Sequence, residues 1–250
     1  WTLSALTISR EEAAATEAIC VMSSQRPYKP ACSRYSPQPS LFKRLSLVVV
    51  ALSLFVISPA KTQADDEVTV VAFGDSLTAG YGLHPQDVFP LRLEQALREK
   101  DIAARVINAG VSGDTTAGGL ARLDWSLSSE PAVMIVQLGG NDALRGVEPA
   151  ITRMNLDAII RRIHDAGVTV VLAGMYAPPN LGDDYVREFN AIFPELAKEH
   201  GIRLYPFFLE GVAAKPEYNQ GDGLHPNRRG VQLIVNRFAP FLVEAIRTRY

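Results

Sequence analysis

Five short hydrophobic runs, rich in β-branched residues, recur along the second part of this 250-residue chain. They cover residues 68–73, 106–108, 132–138, 168–173 and 202–205. Runs that are apolar at nearly every position are typical of strands buried on both faces, as in a parallel sheet. The pattern therefore predicts five buried, parallel strands.

Between these runs the hydrophobic positions recur with a helical period. The predicted helices cover 89–100, 149–166, 184–200 and 227–247. In the second of them, the stripe predicted to face inward consists of Ile151, Met154, Ala158, Ile159 and Ile163. Strands that alternate with helices predict right-handed crossovers and a three-layer α/β/α sandwich. We predict the flavodoxin-like strand order 2-1-3-4-5, in which function is located at the carboxyl ends of the strands.

Residues 43–64 have the pattern of a targeting segment. Lys43 and Arg44 precede an uncharged, mostly apolar stretch, 45–58, and a small residue, Ala64, follows it. These features are typical of a secretory signal peptide. A spanning helix needs roughly 20 apolar residues, so a retained anchor is the weaker alternative. We therefore predict cleavage near Ala64, export to the periplasm or the outside, and no stable membrane anchor after processing.

The chain on either side of this segment differs in composition. Residues 1–42 are rich in Ser, Pro and Ala, and we predict a non-globular extension there, with Met22 as an alternative start of translation. Both cysteines lie in that extension, so residues 65–250 have neither a disulfide nor a thiol nucleophile. The length and composition of 65–250 predict one compact domain.

Charge and composition exclude several classes of function. The formal net charge is −2, which argues against binding to nucleic acid through phosphate neutralisation. There is no HExxH motif, no paired CxxC and no carboxylate cluster, so we expect no metal site. We expect a monomer that acts on small molecules without a cofactor.

Four polar, glycine-rich motifs follow predicted strands or precede the last helix. They read GDSLTAGYG at 74–82, NAGVSGDT at 108–115, LGGNDALRG at 138–146 and DGLHPN at 222–227. Because the carboxyl ends of parallel strands share one edge of the sheet, we expect these motifs to meet there.

The side chains in these motifs suit acyl transfer. Ser76 needs a neighbouring base to become a nucleophile, and His225 is the natural candidate because imidazole titrates near neutrality. Asp222, three residues earlier, can orient the imidazole ring. A tetrahedral oxyanion needs donors aimed at it, and the Ser76 N–H, the Gly113 N–H and the Asn141 side-chain amide can supply them.

Together the four motifs resemble the GDSL, or SGNH, hydrolases, in particular the periplasmic thioesterase I, lysophospholipase L1 and arylesterase group. The resemblance covers essentially all of residues 68–250. It implies a triad of Ser76, Asp222 and His225, and an oxyanion hole at Ser76, Gly113 and Asn141. It also implies hydrolysis of acyl thioesters, lysophospholipids and simple carboxylic esters through an acyl-enzyme on Ser76.

The substrate walls are predicted from loops near these motifs. They are Tyr81, Arg145, Pro179 and Leu181, of which Arg145 either attracts anionic groups or forms a structural ion pair. The resemblance implies an open acyl groove of broad specificity, although Pro178 followed by Pro179 departs from the single proline of close relatives. Chain-length preference therefore stays open.

Each functional interpretation has an alternative. Ser76 could serve only as a helix N-cap. The activity could instead be deacetylation of a carbohydrate, as in other members of the resembled family, or the protein could be a non-catalytic, flavodoxin-like binding protein.

The remaining polar candidates are assigned structural roles. Asp75 is expected to order its loop, and Asp142 to be a turn residue. His164 and His200 are expected at helix C-termini, in favourable contact with the helix dipole. His84 lies either at the mouth of the site or, as the preferred interpretation, on the solvated surface.

Overall fold

The computed structural model describes residues 67–248, which contain a five-stranded sheet. The strands are β1 (Val68–Gly74), β2 (Ala104–Gly110), β3 (Val133–Gln137), β4 (Thr169–Ala173) and β5 (Arg203–Tyr205). All four pairings are parallel and the order is β2-β1-β3-β4-β5. The predicted α/β class and strand order are both confirmed.

Seven helices accompany the sheet in the described part of the chain. They are α1 (Ser76–Ala79), α2 (Phe89–Arg98), α3 (Thr116–Leu127), α4 (Gly140–Leu144), α5 (Pro149–Asp165), α6 (Asp183–His200) and α7 (Arg228–Arg247). Helix α2 packs against α7, whereas α5 packs against both α3 and α6. Every residue of β3 is buried, so helices cover both faces of the sheet there. This is the expected three-layer arrangement.

Helix α3 was not predicted, because its sequence carries a weak helical signal. Two glycines, Gly118 and Gly119, lie in its first turn, where glycine costs about 1 kcal/mol relative to alanine. The fold explains the second one, since a Cβ on Gly119 would lie 2.4 Å from Cδ1 of Leu138. Close packing of α3 on the sheet therefore requires a residue that disfavours the helix locally.

The predicted inward face of α5 is wrong in part. Ile151 and Met154 are 45% and 62% exposed. Two polar residues, Thr152 and Asn155, are buried on the inner face instead. Asn155 donates to Thr116 Oγ1 at 3.0 Å, and Thr152 Oγ1 lies 3.4 Å from an Asp142 carboxylate oxygen. The buried face is centred on the apolar stripe of Leu156, Ile159, Ile160 and Ile163, which Thr152 and Asn155 continue toward the start of the helix.

The register of the sheet aligns the strand ends that lead into the motifs. Gly74, the last residue of β1, pairs with Gly110 of β2 on one side and with Gln137 of β3 on the other. The segments that follow, which carry Ser76, Gly113 and Asn141, therefore leave the sheet at one edge.

Several predictions concern residues outside the described range. These are the extension 1–42, the targeting segment 43–64 with cleavage near Ala64, and the alternative start at Met22. Within residues 67–248, no helix combines the length and the apolar content needed to cross a membrane.

Candidate active site

Ser76 is the first residue of α1, immediately beyond the end of β1. The N-cap of this helix is Asp75, whose carboxylate accepts from the Leu77 N–H at 3.0 Å. The interpretation of Ser76 as a simple N-cap is therefore wrong, while the loop-ordering role expected of Asp75 is confirmed. The Ser76 hydroxyl contacts another part of the chain.

That partner is His225, which lies just before α7. Its Nε2 is 2.9 Å from Ser76 Oγ, and its Nδ1 is 2.6 Å from Asp222 Oδ2. The other carboxylate oxygen of Asp222 accepts from the Leu224 and His225 backbone N–H groups at 2.9 and 3.0 Å. The hydroxyl, imidazole and carboxylate thus form one continuous chain of hydrogen bonds.

The electrostatics of this chain keep Asp222 ionised. The backbone N–H and then the ring of His225, together with the Leu224 N–H, lower the pKa of Asp222 to about 2. The carboxylate is therefore charged wherever an ordinary imidazole titrates, near pH 6.5. An ionised acceptor at Nδ1 directs the proton of a neutral imidazole to that nitrogen, so that Nε2 is left free to accept the serine proton.

The loop that carries His225 is tied to the loop after Ser76. The Gln220 N–H donates to the His225 carbonyl at 2.8 Å, and its side-chain amide donates to the Tyr81 and Pro226 carbonyls at 2.8 and 3.0 Å. The Tyr81 ring lies over the imidazole, with centroids 4.7 Å apart. Tyr81, predicted as a substrate wall, thus covers the histidine and is not among the residues that line the cavity described below.

The predicted oxyanion donors other than the Ser76 N–H lie in the segments that follow β2 and β3. Residues 111–114 form a tight turn, closed by a hydrogen bond of 3.1 Å from the Asp114 N–H to the Val111 carbonyl. Gly113 has φ +82°, the conformation that a type II turn demands of its third residue. Within residues 67–248 the Gly113 N–H has no hydrogen-bond partner, so it remains able to donate to a substrate.

Asn141 extends from the first turn of α4 to this same turn. Its Nδ2 donates to the Asp114 carbonyl at 2.9 Å and lies 3.5 Å from Asp75 Oδ2. A side-chain amide carries two N–H donors. One is thus fixed on backbone, and the other points toward the Asp75 carboxylate and the cavity in front of Ser76.

Asp75 is a buried carboxyl group beside the reacting residues, a property that the sequence did not reveal. It is 2% exposed and lines the cavity. Burial raises the pKa of Asp75 to about 6, despite the opposing hydrogen bonds from Leu77 and Gln137. The only sequence signal for this burial is that Asp75 lies between the end of a strand and the first turn of a helix.

A cavity of about 460 Å³ opens in front of Ser76. Of the predicted walls only Pro179 lines it; Arg145 and Leu181 do not. Most of its wall comes from other apolar residues, among them Leu144, Met175, Tyr176, Ala177, Phe207 and Leu209. Such a mostly apolar cavity with a few polar groups at one end is typical of a small-molecule site.

Two predicted side chains have roles other than those expected. Arg145 donates to the Gly113 carbonyl at 2.8 Å, and within the described residues it forms no ion pair. The ion-pair alternative is therefore wrong, and Arg145 instead bonds the turn that carries Gly113. Asp142 is buried, and it accepts from the Thr116 N–H at 2.9 Å rather than forming an exposed turn.

The remaining histidines lie away from the cavity. His84 is exposed, in agreement with the preferred interpretation of a solvated surface position, and its side chain caps a short 3-10 turn. His164 and His200 are in the last turns of α5 and α6, as expected. The ring of His200, however, pairs with the Asp157 side chain at 2.7 Å rather than acting only on the helix dipole.

Ligating atoms of Asp157, Glu199 and His200 lie within 4.8 Å of one another, as a metal site requires. Both carboxylates are already engaged by arginines. Arg161 lies 3.0 Å from Asp157, and Arg153 lies 2.7 Å from Glu199. The positive charge that a metal would provide is thus already supplied by side chains.

Comparison with known proteins agrees with this geometry. The GDSL-like Lipase/Acylhydrolase family matches residues 72–233. An arylesterase of Vibrio mimicus is 40% identical over 197 residues, which are 78% of this chain and 98% of that protein. Thioesterase 1/protease 1/lysophospholipase L1 of Escherichia coli is 40% identical over 172 residues, which are 68% of this chain and 81% of that protein.

A solved structure extends the likeness to three dimensions. The crystal structure of an SGNH-hydrolase family esterase is 48% identical and superposes with a TM-score of 0.61. The match covers 72% of this chain and 97% of that one. The family match spans well over half of this chain, and it includes the segments of Ser76, Gly113, Asn141, Asp222 and His225. This chain therefore belongs to the GDSL-like lipase/acylhydrolase family.

Proposed function

We propose that the protein is a serine acylhydrolase that cleaves carboxylic esters, acyl thioesters and lysophospholipids through an acyl-enzyme on Ser76. One observation carries the proposal: the hydroxyl bonded to the His225–Asp222 pair opens into a cavity walled mostly by apolar side chains. The relatives named arylesterase and thioesterase 1/lysophospholipase L1 support the same reaction class.

Acylation begins with attack by Ser76 Oγ on the carbonyl carbon. The serine proton passes to His225 Nε2 as the new C–O bond forms, and the carbonyl π electrons move onto the oxygen. The Ser76 and Gly113 N–H groups and the second amide proton of Asn141, which is directed at Asp75 Oδ2 at 3.5 Å before a substrate binds, donate to that oxyanion. Each such donor contributes about 100- to 1000-fold in turnover.

The tetrahedral intermediate then breaks its bond to the alkoxide or thiolate. The leaving group takes the proton from His225 Nε2, and the acyl group stays on Ser76. During this step the imidazolium is stabilised by Asp222, which stays ionised because its pKa is about 2. An alcohol or thiol is released.

Deacylation repeats the sequence with water. A water molecule gives a proton to His225 Nε2 and attacks the acyl carbon, and the intermediate then expels Ser76 Oγ, which regains the proton. The products are a carboxylic acid and the free enzyme. The same base and the same oxyanion donors serve both halves of the cycle.

Apolar acyl chains are the substrate class that the cavity favours. Met175, Phe207 and Leu209 form its walls, and burial of apolar surface contributes about 25 cal/mol per Å². An acetyl group on a sugar would leave most of this wall exposed to water. Deacetylation of carbohydrate is therefore disfavoured.

We also propose that the protein works after export and as a monomer. The support for export is the basic, apolar and small-residue pattern of 43–64. Fractionation of cells into periplasm, medium and membrane would test it, and activity confined to the membrane fraction would contradict it.

A substrate panel tests the function. It compares p-nitrophenyl esters and acyl-CoA thioesters of increasing chain length, a lysophospholipid and acetylated xylan, with wild type and Ser76→Ala. We expect kcat/KM to rise from acetyl toward longer chains, and Ser76→Ala to be inactive. Full turnover by Ser76→Ala would overturn the proposal, and activity confined to acetylated xylan would favour carbohydrate deacetylation.

A bulky substitution in the cavity tests where the acyl chain binds. Ala213 lines the cavity and has an exposed side chain, so tryptophan there should fill acyl space without unfolding the protein. We expect Ala213→Trp to lower kcat/KM for long chains while sparing acetyl esters. Ala121→Trp, an exposed site on α3 outside the cavity, is the matched control and should leave the chain-length profile unchanged.

A further inference from the structure

Arg122, on the second turn of α3, contacts three separate segments of the edge at which the candidate site lies. Its Nε lies 2.6 Å from Asp114 Oδ2, one terminal nitrogen donates to the Ala109 carbonyl at 2.8 Å, and the other donates to the Gly74 carbonyl at 2.9 Å. Its guanidinium carbon also lies 4.2 Å from the centre of the Phe73 ring. One cation thus joins the ends of β1 and β2 to the turn that follows β2.

Two of these contacts end within two residues of a residue of the proposed mechanism. Gly74 is two residues before Ser76, and its carbonyl also accepts from the Val111 N–H, the first residue of the oxyanion turn, at 3.0 Å. Asp114 directly follows Gly113. Arg122 therefore holds both the segment before the nucleophile and the turn that carries the Gly113 N–H.

Asp114 is fixed at every polar group. Its N–H donates to Val111, its carbonyl accepts from Asn141, and its carboxylate accepts from Arg122. The arginine is the only cation paired with that carboxylate in the part of the chain that the structure describes. Loss of the guanidinium would leave a carboxylate that is 12% exposed without its charged partner, and the turn would lose its hold on α3.

We propose that Arg122 is a positioning residue of the oxyanion hole, acting through Asp114 and the Gly74 carbonyl to hold the Gly113 and Asn141 donors in place. The proposal rests on the proposed acylhydrolase function. Arg122 does not line the cavity and has no direct contact with Ser76 or His225. Its effect is therefore on the transition state, because a displacement of about 1 Å at a catalytic donor can cost about 100-fold in rate.

Only arginine has the shape for this role. The guanidinium presents N–H donors in a rigid, planar fork, and here the fork reaches a carboxylate and two carbonyls in different directions. Lysine has the same charge on a single nitrogen and cannot reach all three. Arg122→Lys therefore retains the positive charge but removes the planar fork that reaches the carboxylate and both carbonyls.

Arg162 offers a matched control on the neighbouring helix. It pairs with Asp124 and donates to the Leu120 carbonyl at 3.3 Å, so it too joins a carboxylate and a carbonyl of α3. It lies outside the proposed machinery. Arg162→Lys is expected to leave kcat and KM within about twofold of wild type.

The test compares Arg122→Lys with wild type on one p-nitrophenyl ester and on two inhibitors of the same chain length. One inhibitor is an alkyl trifluoromethyl ketone, which becomes a tetrahedral oxyanion on serine, and the other is the corresponding alcohol. We expect kcat to fall about 10- to 100-fold with KM within about twofold. Affinity for the ketone should fall in parallel, and affinity for the alcohol should be unchanged.

A double-mutant cycle with Asn141→Ala gives a second readout. If Arg122 acts through the oxyanion donors, Arg122→Lys should slow the Asn141→Ala enzyme much less than it slows wild type. Equal effects in both backgrounds, equal loss of ketone and alcohol affinity, or unchanged kcat would each overturn the positioning role. An active Ser76→Ala enzyme would instead overturn the proposed function, so the two failures are distinguishable.

Discussion

The described part of the chain contains two histidine–aspartate pairs of nearly equal length, and only one is a candidate for catalysis. His225 lies 2.6 Å from Asp222 at the carboxyl edge of the sheet, and His200 lies 2.7 Å from Asp157 between α6 and α5. The first ring has a serine hydroxyl at its other nitrogen and a cavity in front of it. The second is surrounded by the charged side chains of Arg161 and Glu199.

The difference between the pairs shows that a pair alone implies no chemistry. An imidazole becomes a general base only if its second nitrogen meets a group that can react and if a substrate can approach that group. The pair on α5 and α6 has neither among the described residues, and its neighbours are already paired ions. Its role is to join two helices, so it should affect stability and leave turnover unchanged.

The largest expected effect is the difference in kcat between variants of the two histidines. His225→Ala should lower kcat by about 10⁴- to 10⁶-fold, because no other group can take the serine proton. His200→Ala should keep kcat within about twofold. Steady-state hydrolysis of a p-nitrophenyl ester would measure both, and an equal loss in the two variants would contradict the assignment.

The aspartates extend the test to the orienting groups. Asp222→Asn places an amide N–H₂ against His225 Nδ1 and reverses the preferred tautomer, so kcat should fall by about 10⁴-fold with the fold intact. The variant is chosen because asparagine retains the size and one acceptor oxygen of aspartate. Near-wild-type turnover would mean that another group orients the ring.

The fold and the residues that meet at the candidate site were largely predictable from the sequence. Nearly continuous apolar runs, such as 132–138, predicted the parallel strands, and the strand order was that of a five-stranded, flavodoxin-like sheet. The motifs identified Ser76, Asp222 and His225, which the structure brings together. These features depend on local pattern and on the common edge of parallel strands. Such information is present in short windows of sequence.

The supporting contacts were not predictable, because they join residues far apart in sequence. Arg122 bonds a carbonyl 48 residues earlier, and nothing in its neighbourhood marks it among the other arginines. Met154 has the spacing of a core residue, yet it is 62% exposed, whereas the neighbouring Asn155 is buried and donates to Thr116 Oγ1. Burial of polar groups depends on partners that only the folded chain supplies.

Asp75 extends the comparison to a buried carboxyl group that has no hydrogen bond to a histidine or arginine among residues 67–248. Its folded pKa of about 6 lies above the ordinary value of 3.8, so the folded state binds more protons between these values and stability falls as pH rises. In the Asp75→Asn variant this side chain cannot ionise, so the variant does not lose this stability as pH rises. The free energy of unfolding of the variant relative to wild type should therefore increase by about 2–2.5 kcal/mol from pH 4 to 7.5.

Urea denaturation across that pH range would measure the difference. A constant offset between the two proteins does not matter, because the prediction concerns the slope with pH. Parallel curves for Asp75→Asn and wild type would show that Asp75 ionises in the fold with its ordinary pKa.

Asp157 is the opposite case, a carboxylate with partners, and gives the smallest expected effect. Burial alone would raise its pKa, but the hydrogen bonds from His200 and Arg161 outweigh burial and lower it. A lowered pKa contributes stability that is present above the ordinary value of 3.8 and is lost as pH falls through the folded value. Asp157→Asn should therefore lower the free energy of unfolding by about 1–2 kcal/mol at pH 7, and the difference from wild type should shrink below about pH 4.

The same variant distinguishes a structural pair from a catalytic one. Asp165→Asn, an exposed carboxylate on the same helix, serves as the control and should change stability by less than about 0.5 kcal/mol. If Asp157→Asn lost stability in the predicted pH range and retained full kcat, the helix pair would be purely structural. A loss of kcat at unchanged stability would instead connect α5 and α6 to the reaction, because only coupling to the cavity could slow turnover without weakening the fold.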